Sequence, residues 1–178
     1  MKIEIKKGKE LSDETINFMA DARIKEYGEN SKDVKNEEQE SIFFFVKDGG
    51  KIVSFGMCKP VKIIYNGMKY DIYGLASVLS VIKGKGYGKI LVDKMLKYVK
   101  KKSKSAIGFF GDKNWGFYEK TGFAIKKDLC NRFFYDYGDE KKNKEEMEGH
   151  GVYYNGKDNF IKKVLSTKEI VNIPMRHW

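Results

Sequence analysis

Three glycines within five residues, in the run Val81-Ile82-Lys83-Gly84-Lys85-Gly86-Tyr87-Gly88-Lys89, narrow most sharply what this chain can fold into. The residues before the run are rich in β-branched and aromatic side chains. After it, Leu91, Val92, Met95, Leu96 and Val99 recur at the spacing of one helical face, which predicts a helix over about residues 88–102. The unit is therefore strand, glycine loop, helix. Glycine lets the backbone approach a ligand closely, and the first turn of the following helix offers N–H groups without intrahelical partners at the positive end of its dipole. Such a loop suits a phosphate or diphosphate; the plain alternative is a flexible lysine-glycine connector.

Neighbouring residues argue against two phosphate-loop types. A dinucleotide fingerprint would continue Gly84-x-Gly86 with a small residue at position 89 inside a βαβ unit, but Lys89 stands there and a hairpin precedes it. A P-loop needs glycine where Lys83 stands and Ser or Thr where Ile90 follows Lys89, so nucleotide hydrolysis is disfavoured.

Upstream, residues 2–6 read as a first strand. Ser12 caps a helix whose first turn holds Asp13 and Glu14, with Ile16, Met19, Ala20 and Ile24 on one apolar face, fading near Gly28. Residues 29–40 are too polar for the core and read as a flap or surface helix. Residues 41–47 and 51–58 form strands around the turn Asp48-Gly49-Gly50, and Pro60 interrupts the second. Residues 61–65 and 68–79 flank Asn66-Gly67, which suits a type I′ hairpin turn because both central residues need positive φ. Downstream come a strand over 106–110, a short helix over 113–120 ended by Gly122, and a strand over 123–126. Residues 132–137, a charged loop over 139–148, Tyr153 with Tyr154, and an apolar run through Val164, Leu165, Ile170, Val171 and Ile173 complete the chain. Its 178 residues suit one domain of α/β (or α+β) class over residues 1–178, with a mixed, mostly antiparallel central sheet.

Charge and cysteine content bound the function. The formal charge of +10 is spread along the chain instead of forming an arginine-rich block, which favours an anionic ligand over a nucleic acid. The densest cluster, Lys100-Lys101-Lys102 with Lys104, reads as a solvated helix end. The residues after Met1 lack the apolar core of a secretory signal and no stretch is long enough to span a membrane, so a cytoplasmic protein is expected. Cys58 and Cys130 have no partner at metal-ligand spacing, and neither a metal nor a disulfide is expected. His150 and His177 lie in the tail away from any nucleophile setting, which leaves a catalytic triad without support.

The loop segment Lys83-Gly84-Lys85-Gly86-Tyr87-Gly88 resembles the motif Arg/Gln-x-x-Gly-x-Gly/Ala of the GNAT superfamily of N-acetyltransferases, with Lys in the first place. Downstream, Phe117-Tyr118-Glu119-Lys120-Thr121-Gly122-Phe123 is similar to the superfamily's Phe-Tyr-Glu-Lys-x-Gly-Phe segment. The two motifs stand in the same order, separated by one helix and one strand, and the resemblance covers about residues 70–126. It implies a sheet with helices on both faces and a splayed cofactor-binding strand. It further implies acetyl-CoA as co-substrate, held at its diphosphate by the loop from Lys83 through Lys85 and Tyr87 to Lys89, with pantetheine along Val78, Leu79 and Ser80. A strand N–H there would polarise the thioester carbonyl. Tyr118 matches the residue that protonates the departing thiolate, a step suited to a phenol hydroxyl; otherwise it is a core aromatic. The implied acceptor is a small-molecule or peptide amine, with no membrane partner.

Some family positions differ. Gly111 stands where many relatives carry Asn, Asn114 where they often have Ala, and Gly74 where some place a glutamate base. Asp71 and Tyr73 share the strand but read as hairpin and packing residues. The tail Ile173-Pro174-Met175-Arg176-His177-Trp178 offers the terminal carboxylate of Trp178 as another base, an ending similar to that of the aminoglycoside 2′-N-acetyltransferase branch. The acidic residues that would hold a polycationic drug are not evident. Two further readings stand beside the enzyme: a catalytically silent CoA-binding module, and a basic nucleic-acid binder with salt-sensitive affinity.

Overall fold

The computed structural model describes residues 1–29, 32–135 and 149–173. Strands β1 (Lys2–Lys7), β2 (Ile42–Asp48), β3 (Lys51–Tyr65), β4 (Met68–Ser80), β5 (Ala106–Phe110), β6 (Ala124–Lys126) and β8 (His150–Tyr154) form a seven-stranded sheet in the order β1-β2-β3-β4-β5-β8-β6. Strands β7 (Phe133–Tyr135) and β9 (Val171–Ile173) form a separate parallel pair. The helices are α1 (Asp13–Tyr27), α2 (Tyr87–Lys102), α3 (Trp115–Tyr118) and α4 (Phe160–Ser166). Pairing in the large sheet is antiparallel from β1 to β3 and around β8, and parallel between β4 and β5.

The chain groups into two compact units, one made of Met1–Lys59 with Ala76–Met95, the other of Pro60–Leu75 with Leu96–Trp178. In the first, Phe43, Phe44, Phe45 and Val46 are all buried, so β2 is covered on both faces, which explains its unbroken apolar run. Phe55 meets Phe18 of α1 edge-on at 6.4 Å. Its neighbour Gly56 faces α2, where an added Cβ would lie 3.2 Å from Met95 Sδ and 3.3 Å from Leu91 Cδ2. Successive strand residues point to opposite faces, so α1 and α2 cover opposite sides of β3.

Ser12 Oγ accepts from the Thr15 N–H at 3.3 Å, and Gly28 closes α1 with φ 83°. The apolar face of α1 is the expected one at Met19, which is fully buried, and departs from expectation at Ile24. Ile24 is 50% exposed and its neighbour Arg23 only 3%, because the Arg23 guanidinium lies over the Phe55 ring at 5.6 Å and its charge is favoured by that of Glu38. The polar connection after α1 also enters the interior, since Val34 and Glu38 are buried. Glu38 accepts from Ser41 Oγ at 2.5 Å and from Lys59 Nζ at 2.8 Å, which is how a carboxylate can be held there.

Pro60 does not interrupt β3, which continues to Tyr65. β2 pairs no further than Ile42↔Cys58, so beyond that point this side of β3 is an edge among the described residues, where a residue lacking an N–H is tolerated. Asn66 and Gly67 take φ 50° and 71°, as a type I′ turn requires.

In the second unit, the β4–β5 ladder spans two residue pairs, Tyr73↔Ala106 and Gly74↔Ile107. The next β5 residue, Gly108, lies directly under Leu75, leaving no room for a side chain. The lysine cluster is more than a solvated end. Lys100, Lys102 and Lys104 lie over the rings of Tyr154, Tyr98 and Tyr73 at 5.9, 5.7 and 5.9 Å. Residues 139–148, read as a charged loop, lie outside the described residues.

Candidate active site

In the first unit, the glycine loop follows β4 directly. The Val81 N–H donates to the Val53 carbonyl at 3.0 Å, and from Val81 to Gly86 every residue is exposed. Gly84 and Gly86 take φ 74° and 77°, which only glycine adopts at little cost, and α2 begins at Tyr87 with Gly88 in its first turn. The first backbone bond of the helix runs from the Ile90 N–H to the Gly86 carbonyl. No acidic residue stands in that first turn, so nothing on the helix opposes an anion at its N-terminus.

Three lysines surround the loop. Lys83 Nζ pairs with Glu26 at 2.8 Å, Lys89 Nζ with Asp93 at 2.7 Å, and Lys85 forms no ion pair among the described residues. Both pairs are largely exposed and are worth at most about 1 kcal/mol, so either lysine can turn to a bound phosphate at small cost. The Tyr87 hydroxyl donates to Asp48 Oδ2 at 2.5 Å, and this bond to a carboxylate holds the phenol above its usual range.

On β4, Ser77 takes φ 53°, a left-handed residue inside a strand, and the in-out alternation of burial breaks around it. Past this irregularity Ser54 Oγ donates to the Leu79 carbonyl at 2.8 Å and lies 3.1 Å from Ser80 Oγ. Because Leu79 and Val81 are two residues apart, their backbone groups point the same way, toward β3. Val78 and Ser80 therefore turn their backbone groups away from β3.

In the second unit, Tyr118 ends the single turn of α3 and is half-buried. Its ring lies 4.5 Å from that of Phe110 and 4.9 Å from that of Phe117. Thr121 fastens the turn by donating its N–H and Oγ1 to the Tyr118 carbonyl at 3.0 and 2.7 Å. The next residue, Gly122, lies close to Leu96, whose Cδ2 would have to shift for a Cβ placed 2.8 Å away. Asn114 precedes α3 and is exposed; Asp71 is exposed beside Lys104 at 3.8 Å, and Tyr73 is packed edge-on to Tyr98 at 5.7 Å. Trp178 lies outside the described residues.

His150 is not a tail residue. It opens β8, is buried, and joins this aromatic group, 5.0 Å from the ring of Trp115. Its Nδ1 accepts from the Asp128 N–H at 3.2 Å, which leaves the proton on Nε2, and Nε2 donates to Asp112 Oδ1 at 2.5 Å. Both ring nitrogens are engaged, a structural use that its place in the sequence did not reveal. Cys58 and Cys130 are buried and not joined in a disulfide, and burial pushes the Cys58 thiol up.

Residues 12–123 match the model of the acetyltransferase (GNAT) family. Among solved structures, the fold is similar to an acyl-CoA N-acyltransferase from Pseudomonas aeruginosa, at TM-score 0.58 and 10% identity over 86% of this chain and 99% of that one. It is also similar to ElaA of Escherichia coli, at TM-score 0.60 and 13% identity over 86% and 99%. An N-acetyltransferase from Staphylococcus aureus Mu50 gives TM-score 0.54 and 14% identity over 86% and 97%. No curated protein matches the sequence.

Proposed function

Since the chain belongs to the GNAT family of acyl-CoA-dependent N-acyltransferases, we propose that it moves the acetyl group of acetyl-CoA to a primary amine by direct attack in a ternary complex. The observation that carries this reading is the loop itself. Left-handed Gly84 and Gly86 open α2 directly after a strand, with three lysines around them and no acid in the first helical turn. That arrangement fits a diphosphate.

Acetyl-CoA supplies the activated thioester. The chain's own groups have three tasks. The loop N–H groups from Lys85 to Gly88 hold the diphosphate. The outward-facing backbone of Val78 and Ser80 lies along the pantetheine, where an N–H steadies the carbonyl oxygen as it gains charge. Tyr118 donates its hydroxyl proton to the sulfur as the carbon–sulfur bond breaks. The attacking amine must also lose a proton. Gly74 offers no carboxylate for this.

Gly74 and Gly111 motivate the second reading, a CoA-binding module without turnover. A panel of small amines and N-terminal peptides, scored by release of free CoA, separates the two. Thiol release with at least one amine supports the enzyme. Calorimetric binding of acetyl-CoA without thiol release from any amine supports the silent module, and no heat at millimolar acetyl-CoA or desulfo-CoA removes both.

A further inference from the structure

The glycine loop has little beneath it. A cavity of about 610 Å³ opens beside its two ends, with Phe18, Val53, Val81 and Ile82 among its walls and Tyr87 and Asp48 both on its lining. A loop that is exposed from Val81 to Gly86, borders a cavity at both of its ends and is hinged on two left-handed glycines is not held by packing along its length. Its place is set by tethers. Within the first unit the structure shows three of them: the Val81 N–H to the Val53 carbonyl at 3.0 Å, Lys83 to Glu26 at 2.8 Å, and Tyr87 to Asp48 at 2.5 Å.

These three differ in what they control. The first fixes the end of β4, ahead of the glycines. The second joins two flexible, exposed side chains, a contact of small value. Only the third acts past Gly84 and Gly86, on the residue where α2 begins. It also anchors to a firm point, because Asp48 precedes Gly49 and Gly50 in the tight turn between β2 and β3, with φ 54° and 79° at the two glycines.

We propose that the Tyr87–Asp48 hydrogen bond is a latch that presets the loop for its diphosphate ligand, making Tyr87 and Asp48 positioning residues for acyl-CoA. This rests on the reading of the loop as the diphosphate site. A carboxylate beside an anion site is unfavourable on electrostatic grounds. Its presence at this point makes sense when its role is to accept from Tyr87. Held in place beforehand, the loop loses less freedom on binding.

The sign of one substitution separates the latch from simple electrostatics. If Asp48 acts only through its charge, Asp48→Ala removes a repulsion and tightens binding of acetyl-CoA. If it is the latch, Asp48→Ala weakens binding, by roughly three- to tenfold, the size expected for the loss of one solvent-exposed hydrogen bond. Tyr87→Phe gives a loss of the same size, and the double variant loses no more than either single one. Asp48→Asn keeps an acceptor and restores binding to the wild-type level or better. In turnover the loss falls on the KM for acetyl-CoA and not on kcat, a division that general destabilisation would not produce.

Calorimetry with desulfo-CoA on wild type, the three single variants and the double variant reads all of this directly. Tighter binding by Asp48→Ala, or multiplying losses in the double variant, would overturn the latch. Wild-type protein that gives no heat would instead overturn the diphosphate site, so the two failures are distinct.

Discussion

Replacing Gly108 with alanine tests how closely β4 and β5 are obliged to approach at the end of their ladder. An alanine Cβ there would stand 2.7 Å from the Leu75 carbonyl oxygen and 2.9 Å from Leu75 Cβ, about 0.7 and 0.5 Å inside the 3.4 Å at which ordinary contact begins. The oxygen belongs to the backbone one residue beyond Gly74, whose pairing with Ile107 fixes it. No rotamer change relieves the clash; β5 has to move, and on its other side it is bound to β8 through Gly108↔Val152. Overpacking of this kind costs about 1–3 kcal/mol, which for a chain of this size lowers Tm by about 2 to 12 °C. Urea unfolding followed by circular dichroism measures it, with the slope m unchanged and the midpoint shifted. Gly111→Ala is the matched control, since a Cβ there meets nothing within 4 Å. If Gly108→Ala unfolds at the same urea concentration as Gly111→Ala, the strands are not constrained here and the reasoning is wrong.

Three other predictions concern chemistry and charge. Tyr118→Phe should lower kcat by roughly 10²-fold, the low end for loss of a general acid, with little change in acetyl-CoA affinity; wild-type turnover would remove Tyr118 from the mechanism. Glu38→Gln leaves Lys59 and Arg23 without their buried counter-charge and should destabilise the fold by about 3 kcal/mol, read by denaturant titration; an unchanged midpoint would show that the charge is already compensated. Burial pulls the Lys32 ammonium down from 10.5 to about 8. Between these values the unfolded chain holds the Lys32 proton more tightly than the folded one, so this group makes stability rise with pH from about 8 to 10.5, levelling above, by about 3 kcal/mol in total. Lys32→Met should remove that rise relative to wild type, and parallel stability profiles for the two proteins would contradict it.

The elements that sequence patterning located are those whose residues carry the signal themselves. Leu91, Val92, Met95, Leu96 and Val99 are all buried on α2 as their spacing required, Asn66-Gly67 makes its turn, and Ser12 caps α1. The glycine loop was legible for the same reason: left-handed backbone at Gly84 and Gly86 is a local demand. Long-range chemistry left no such trace. Arg23 is buried where the Phe55 ring receives it and the charge of Glu38 favours it, influences 15 or more residues away, so helical periodicity alone chose Ile24 instead. The engagement of His150 by Asp112 spans 38 residues and that of Tyr87 by Asp48 spans 39. Pro60 misled for a related reason: its effect depends on how far β2 reaches along β3, which is a property of register and not of the proline.

That same proline has a consequence for how the molecule meets copies of itself. Where β3 outruns β2 beyond Cys58, it presents, among the described residues, an edge of the kind along which an extended peptide from another molecule can pair. Pro60 breaks the row of donors there, and exposed Lys62 adds a charge that a second identical strand would have to meet head-on. On this stretch one ring and one ammonium group oppose pairing with a second copy, well away in sequence from the residues of the glycine loop.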